Sequence, residues 1–289
     1  MKKVIVIVGP TASGKTKLSI DLAKALHTDI INGDSVQIYK RLDIGSAKIT
    51  DEEKQGIKHH LLDVIEPSHK YSVYQYQQDV RAMIKDIDLP MIVGGTGLYI
   101  KAALYDYQFD PESKHHDNED IYQKYSTQEI YEMLIKLDPN IKIDEKNRRR
   151  VIRALQLAKE GHHRSQKQNK DVLLYEPLII YLDLDRQVLE QRLIKRLEIQ
   201  LAQGFINEVK SLLDDDIEIN AIGYRAIASY LKEEITLEEA KQLIIKKSKA
   251  LAKKQKTWFK NQMRPIMFDA LSDTLYEDVL QEIKTFLKN

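Results

Sequence analysis

The sequence predicts an α/β fold, with a parallel-sheet core interrupted by a helical insertion. Three observations carry this reading. The apolar run Val4-Ile5-Val6-Ile7-Val8 passes through a glycine-rich loop directly into a helical pattern. Strand and helix signals then alternate over the first hundred residues, which implies parallel strands joined by crossovers. Strand signals vanish from about Asp110 to Glu176 and return at Pro177-Leu178-Ile179-Ile180-Tyr181-Leu182-Asp183.

Taken in order, the first strand is followed by a helix with Leu18, Leu22, Ala25 and Leu26 on one stripe. Asp29 to Gly33 reads as a second short strand and His60 to Ile65 as a candidate third. Tyr71 to Asp86 reads as a helix, Leu89 to Gly95 as a strand ending in a glycine turn, and Thr96 to Leu104 as the next helix. The middle region has helical pattern at Ile121–Leu137 and Asp144–Lys159. After the Pro177 strand the chain is read as helix at Arg186 to about Leu213, Tyr224–Lys232, Leu237–Lys260 and Leu275–Leu287. The economical division is a core of 1–110 with 177–289 and an insertion of 111–176. There is no internal repeat and no low-complexity linker.

The loop Gly9-Pro10-Thr11-Ala12-Ser13-Gly14-Lys15-Thr16 has the spacing G-x-x-x-x-G-K-[ST] between strand and helix. Its glycines let backbone N–H groups turn inward, Lys15 adds a point charge, and Thr16 offers a hydroxyl to Mg²⁺. The helix N-terminus adds partial positive charge. The core is therefore P-loop NTPase-like, and the loop is expected to bind a di- or triphosphate. Ligands of such sheets sit at the carboxyl ends of the strands. Asp34-Ser35 and Gly94-Gly95-Thr96 fall at such ends too.

Composition narrows the class. Hydrophobic residues make up 43% of 289 residues, enough for a packed core. The absence of cysteine excludes disulfides, thiol catalysis and cysteine zinc sites, and it suits a reducing cytoplasm. No apolar stretch reaches the length of a membrane span, and Met1-Lys2-Lys3 runs into a strand too short for a secretory signal. The expectation is a cytoplasmic monomer that begins at residue 1 and has no membrane partner.

Net charge is +1, but it is segregated. Residues 246–264 carry eight basic side chains and no acidic one, and Arg148, Arg149, Arg150 and Arg153 cluster in the insertion. Such segments form either solvated helix faces or a nucleic-acid-binding surface. The paired histidines His59-His60, His115-His116 and His162-His163 complete no metal-ligand spacing and are read as surface or RNA-facing.

The phosphate loop does not by itself name a reaction. A nucleotide hydrolase usually holds Mg²⁺ with a carboxylate at a strand end. Asp183 fits that formally, but it is read here as the N-cap of the helix beginning near Arg186. Asp34 is the better acidic candidate, flanked by Ser35 and Gln37 at the sheet edge of the loop.

Together these blocks resemble the tRNA dimethylallyltransferase (isopentenyltransferase) family. The resemblance runs through Gly9–Thr16, Asp34-Ser35-Val36-Gln37-Ile38-Tyr39, Ile44-Gly45-Ser46-Ala47-Lys48, and His59-His60-Leu61-Leu62-Asp63. It continues through Tyr71-Ser72-Val73, Gly94-Gly95-Thr96-Gly97-Leu98-Tyr99, Arg153-Ala154-Leu155, Ala221-Ile222-Gly223-Tyr224, and Ala252-Lys253-Lys254-Gln255 with Thr257-Trp258-Phe259. It covers nearly the whole chain in order.

The resemblance implies transfer of a dimethylallyl group from dimethylallyl diphosphate to N6 of the adenosine 3′ of a tRNA anticodon. It makes Asp34 the general base and Thr96 a catalytic contact, and it assigns the leaving diphosphate to Gly9–Thr16 with Arg225, and Mg²⁺ to Thr16. It gives tRNA to Asp34, Ser35, Val36, Gln37, Thr96, Arg149, Arg150, Arg153, Lys253, Lys254 and Gln255. The chain departs from the family where Lys249, Lys254 and Lys260 replace arginines, which keeps charge but loses the planar fork. It also has no appended Cys-His finger. The rival readings are a small-metabolite kinase clamping ATP with the insertion's arginines, a prenyltransferase of free adenine nucleotides, and a nucleotide-controlled RNA-binding switch.

Overall fold

A computed structural model describes residues 1–109, 119–166 and 172–289. It divides into two compact units, one of Met1–Tyr105 with Leu173–Asn289 and one of Asp106–Val172.

In the larger unit, β1 (Lys3–Val8) leads into α1 (Lys15–Leu26), then β2 (Ile30–Gly33), the single-turn α2 (Asp51–Lys54) and β3 (His59–His60). Next come α3 (Val73–Asp86), β4 (Met91–Gly94) and α4 (Gly97–Leu104). The smaller unit contributes α5 (Thr127–Leu137) and α6 (Arg148–Lys159). The chain returns through β5 (Glu176–Asp183), α7 (Arg186–Ala202), α8 (Phe205–Asp214) and α9 (Ile222–Leu231). It closes with α10 (Leu237–Met263), β6 (Ile266–Asp269) and α11 (Leu275–Lys288).

The six strands form one parallel sheet in the order β3-β2-β4-β1-β5-β6. Val8 on β1 stands level with Gly94 on β4 and Tyr181 on β5, so three strand ends open at the phosphate loop. Both sheet faces are covered, as an all-parallel sheet requires. Val4, Val6 and Val8 pack with Tyr76, Val80, Ile100 and Phe259 of α3, α4 and α10. Ile5 and Ile7 point the other way, to Leu18 and Leu22 of α1 and Val279 and Ile283 of α11. A third cluster joins α7 to α10 through Leu197, Phe205, Tyr224, Ile227 and Ile244. The smaller unit has its own core, with Ile130 and Leu134 of α5 against Val151, Ile152 and Leu155 of α6.

Several boundaries differ from the sequence-based expectation. Ala25 is exposed on α1, and Ser19 and Ala23 flank Leu18 and Leu22 on the buried face instead. The third strand stops after two residues because Leu61 and Asp63 take left-handed φ of 61° and 55°. The long helix after β5 breaks at Gly204, whose φ is 101°. Asp185, not Asp183, caps α7, accepting from the Gln187 and Val188 N–H groups at 2.7 and 3.2 Å. β6 joins the sheet although the sequence gives no strand signal for it. No helix among the described residues is long and apolar enough to cross a membrane.

Candidate active site

The loop after β1 is shaped by two glycines. A Cβ on Gly9 would stand 2.8 Å from the Leu182 carbonyl, and Gly14 takes a left-handed φ of 90°. Gly14 caps α1 without a side-chain acceptor, and the first turn of α1 holds no acidic residue. The orphan N–H groups of that turn are thus left to an anion. Lys15 Nζ folds across the loop, donating to the Gly9 and Pro10 carbonyls at 3.0 and 2.7 Å. Burial pushes the Lys15 ammonium down to about 8, against the pull of Asp34 and helped by the repulsion of Arg196. The Ser13 hydroxyl is buried without a hydrogen-bond partner. Residues 11–16 of the loop line a cavity of about 600 Å³ together with Asn32, Asp34, Gln37, Glu53, Arg192 and Arg196.

Asp34 follows β2 in a turn held by Asn32. The Asp34 N–H donates to Asn32 Oδ1 at 3.0 Å, and Asn32 Nδ2 donates to the Asp34 and Leu61 carbonyls at 2.9 and 3.0 Å. Asp34 Oδ1 accepts the Val36 N–H at 2.8 Å. Thr96 reaches the same turn from the end of β4. Its N–H donates to the Gly33 carbonyl at 3.0 Å, and its Oγ1 accepts the Ser35 N–H at 3.1 Å. The glycines make this approach possible, since a Cβ on Gly94 would lie 2.2 Å from Gly33 backbone atoms. Gln37 Nε2 donates to the Ser46 and Ala47 carbonyls at 3.2 and 3.3 Å, and all three residues line the cavity.

Helix α10 is fastened to the glycine turn beside Thr96. Gln255 Nε2 donates to the Gly95 carbonyl at 2.8 Å, and the Trp258 ring packs where a Cβ on Gly97 would be 2.3 Å away. Lys253 and Lys254 are exposed on this helix. Two neighbours are engaged within the unit: Lys249 pairs with Glu190 at 2.5 Å and Lys256 with Asp183 at 2.6 Å. Asp183 therefore neither caps α7 nor faces the loop cavity. It lines a second cavity of about 1490 Å³ between α7 and α10.

The structure brings the loop, Asp34, Gln37, Thr96 and Gln255 to one end of the sheet, with Ser35 and Val36 in the same turn. It does not bring Arg225 there. Arg225 is exposed on α9, donates to Asn220 Oδ1 at 3.1 Å, and lines neither cavity. In the smaller unit, Arg148 donates to the Tyr122 and Tyr125 carbonyls at 2.6 and 2.8 Å, while Arg149 and Arg150 are exposed and Arg153 is half-buried. Placing three arginines in the first turn of α6 opposes the helix macrodipole, so helix stability does not account for them.

Arg192 and Arg196 are cavity residues that sequence reasoning misses. Their signal is two arginines four apart on the helix that follows β5, a neighbour of β1. His59 Nδ1 contacts the Ile57 carbonyl at 2.9 Å and His60 Nε2 contacts Asp29 Oδ2 at 2.8 Å, while His115 and His116 lie outside the described residues. Among the described residues, no group of three or more His, Asp or Glu is placed to hold a metal. The hard oxygen donors at the loop, Thr16 with Asp21, Asp34 and Glu53, are of the kind that Mg²⁺ takes alongside water and substrate phosphates.

A family model described as IPP transferase matches residues 37–262. The chain is similar to the tRNA dimethylallyltransferase of Acholeplasma laidlawii, 49% identical over 287 residues and 99% of each chain. Among solved structures, it resembles the full-length tRNA isopentenylpyrophosphate transferase of Bacillus halodurans. The TM-score is 0.74 and the identity 36%, covering 100% of this chain and 96% of that one. It also resembles a eukaryotic dimethylallyltransferase acting on tRNA, with a TM-score of 0.80 and 26% identity over 99% of this chain and 78% of the other.

Proposed function

The chain belongs to the IPP transferase family, and from that premise we propose that it moves a dimethylallyl group from dimethylallyl diphosphate to N6 of the adenosine 3′-adjacent to a tRNA anticodon. The observation that carries this reading is the shared cavity. A carboxylate, Asp34, stands in the same 600 Å³ space as a phosphate loop whose helix N-terminus has no acceptor of its own.

The chemistry follows from the parts. The loop N–H groups and Lys15 take the charge that develops on the leaving diphosphate as the allylic C–O bond breaks. The Thr16 hydroxyl would hold Mg²⁺ at this site, and the ion, when bound, would supply further neutralisation of that charge. The adenine amine is a weak nucleophile because its lone pair is delocalised into the ring. Asp34 accepts its proton as the new C–N bond forms. Thr96 sets the Asp34 turn and contacts the reacting groups.

The target base must leave the stack of the anticodon loop to enter this cavity. Ser35, Val36, Gln37 and Gln255 meet it at the sheet end. Lys253 and Lys254 on α10, with Arg149, Arg150 and Arg153 of the insertion, hold phosphates of the stem-loop. Exposure of both lysines and of Arg149 and Arg150 supports this role. We place the reaction in the cytoplasm, carried out by a monomer.

The test is incubation with labelled dimethylallyl diphosphate and unmodified tRNA, followed by nucleoside analysis. Label on N6 of the adenosine 3′ of the anticodon, with release of diphosphate, is the expected result. Label transfer to free adenine nucleotides but not to tRNA would reject the reading. So would phosphoryl transfer from ATP with no affinity for tRNA.

A further inference from the structure

Residues 43–47 have neither strand nor helix of their own, and their last two, Ser46 and Ala47, line the loop cavity. Their backbone polar groups therefore need partners from elsewhere. Glu208 of α8 meets three of them. Its Oε2 accepts the Asp43 and Ile44 N–H groups at 2.9 and 2.7 Å, and its Oε1 accepts the Gly45 N–H at 3.0 Å. Consecutive N–H groups turned to one point form a nest for an anion, and the carboxylate is that anion. The Tyr224 hydroxyl completes the set, donating to Oε1 at 2.7 Å. Burial and the charge of Glu208 both keep that phenol protonated. Gln200 Nε2 takes up the Ile44 and Gly45 carbonyls at 2.5 and 3.1 Å. Gly45 lies against the Phe205 and Tyr224 rings, where a Cβ would be 2.1 and 2.7 Å away.

The far end of this segment holds Gln37. Its Nε2 donates to the Ser46 and Ala47 carbonyls at 3.2 and 3.3 Å, and Arg196 Nη2 shares the Ser46 carbonyl at 3.1 Å. An amide nitrogen with two protons thus meets two carbonyls, and the flipped amide would set its oxygen against both. Oε1 is the atom that Gln37 has left to offer a ligand. The N6 amine of adenine also carries two protons. One passes to Asp34 as the C–N bond forms, and the other stays in the product and requires an acceptor. We propose that Glu208 is a positioning residue for this reaction: as the resident anion of the nest it fixes residues 43–47, and through their last two carbonyls it fixes Gln37 with Oε1 offered to the amine. The proposal rests on the reading of the site as an adenosine prenyltransferase. It gives α8 and the Tyr224 block a part in choosing the base.

Glu208→Gln cannot reproduce the nest. Both carboxylate oxygens accept a backbone N–H, so the new NH₂ group meets one whichever way it is turned. Glu208→Asp keeps the charge but shortens the reach.

The experiment compares the affinity of tRNA carrying adenosine 3′ of the anticodon with that of the same tRNA carrying inosine there. Inosine presents an oxygen where adenosine presents the amine. Wild type, Glu208→Gln, Glu208→Asp, Gln37→Ala and the Glu208→Gln, Gln37→Ala double variant are titrated. Far-UV circular dichroism checks each fold, and dimethylallyl transfer to the adenosine tRNA is measured alongside. Wild type should prefer adenosine. The preference should shrink about threefold to tenfold in Glu208→Gln and in Gln37→Ala. It should shrink no further in the double variant, because both changes remove the same contact. Inorganic diphosphate affinity should stay within a few-fold of wild type. A Glu208 that only supports the fold would lower the urea midpoint and leave the preference at its wild-type value, which overturns the proposal. Additive losses in the double variant overturn it too. If Glu208→Gln does not fold, Glu208→Asp decides, and a wild-type preference there overturns the proposal. If wild type transfers the group but binds both tRNAs equally, the proposal fails alone. If wild type transfers nothing to tRNA, the reading of the site falls and the proposal with it.

Discussion

Thr96 Oγ1 accepts the Ser35 N–H at 3.1 Å and donates its own proton to Ser35 Oγ at 3.3 Å. The residue that ends one strand thus fixes the backbone next to Asp34 at the end of another. A hydroxyl has a single proton, so the one on Thr96 is already committed before a substrate arrives. What Thr96 offers a ligand is a lone pair and a rigid turn.

Thr96→Ala is therefore expected to lower kcat about tenfold to a hundredfold, by releasing the turn that carries the base. Thr96→Ser should recover most of that activity. Single-turnover transfer with saturating tRNA separates this from weaker binding, and an alanine variant with wild-type kcat would remove Thr96 from the positioning of Asp34.

Asp34→Asn keeps the shape of the side chain but removes its basicity. Transfer should fall on the order of a hundredfold to ten-thousandfold, while tRNA and diphosphate affinities stay within a few-fold of wild type. Activity close to wild type would exclude Asp34 as the proton acceptor.

Lys15 gives a pH signature. Its ammonium discharges as pH rises through about 8, so inorganic diphosphate affinity should decline above that value. Lys15→Gln should bind weakly throughout and show no inflection. For stability the sign is opposite. The unfolded chain keeps the proton up to near 10.5, so the folded state is penalised below about pH 8 and the penalty fades between 8 and 10.5. Lys15→Met should accordingly raise the urea midpoint at pH 7 without diphosphate.

Neutralising Lys253 and Lys254 together should weaken binding to all tRNAs. The slope of log affinity against log salt should flatten by about one unit for each phosphate left without its lysine. Diphosphate binding should hardly move, because the loop meets that charge. Coincident salt plots for wild type and the double alanine variant would return these lysines to the status of a solvated face.

Gly97→Ala tests the seat of α10. Its Cβ would enter the Trp258 ring at 2.3 Å, and overpacking of this kind costs about 1–3 kcal/mol. Denaturant unfolding should show that destabilisation. Because Gln255 rides on the same helix and holds Gly95, tRNA transfer should suffer more than diphosphate binding.

The sheet and its loop are legible in the sequence because β1, β2 and β4 each run into a glycine turn, with strong apolar runs before it in β1 and β4. What escapes has a physical reason in each case. β6 is four residues of partly exposed strand behind Pro265, too short to show alternation. The break at Gly204 hides in a continuous helical pattern, since only the left-handed φ reveals it. Asp183 and Asp185 are equally good caps by type, and only the backbone decides that Asp185 turns into the helix. The Asp34 turn is readable from its neighbours, but Asn32, which clamps it from within the strand, looks like any polar residue in a strand. Arg192 and Arg196 are overshadowed by the denser basic runs elsewhere. Arg225 follows a recognisable glycine-tyrosine block, yet its side chain lies on the solvent side of α9.

The sheet order also has a meaning for synthesis of the chain. β1 leaves the ribosome first, but one of its two neighbours is β5, joined to it from Lys3–Glu176 to Val8–Tyr181. At ordinary elongation rates of about 5–20 residues per second, the second neighbour arrives roughly 10 to 35 s later. Through that interval the most apolar strand of the protein has at least one uncovered edge, the state in which nascent chains aggregate or engage a chaperone. Leu182, whose carbonyl closes over Gly9, comes with the late strand. A chain released before Glu176 would contain every letter of the phosphate motif and still have nothing for its first glycine to rest on.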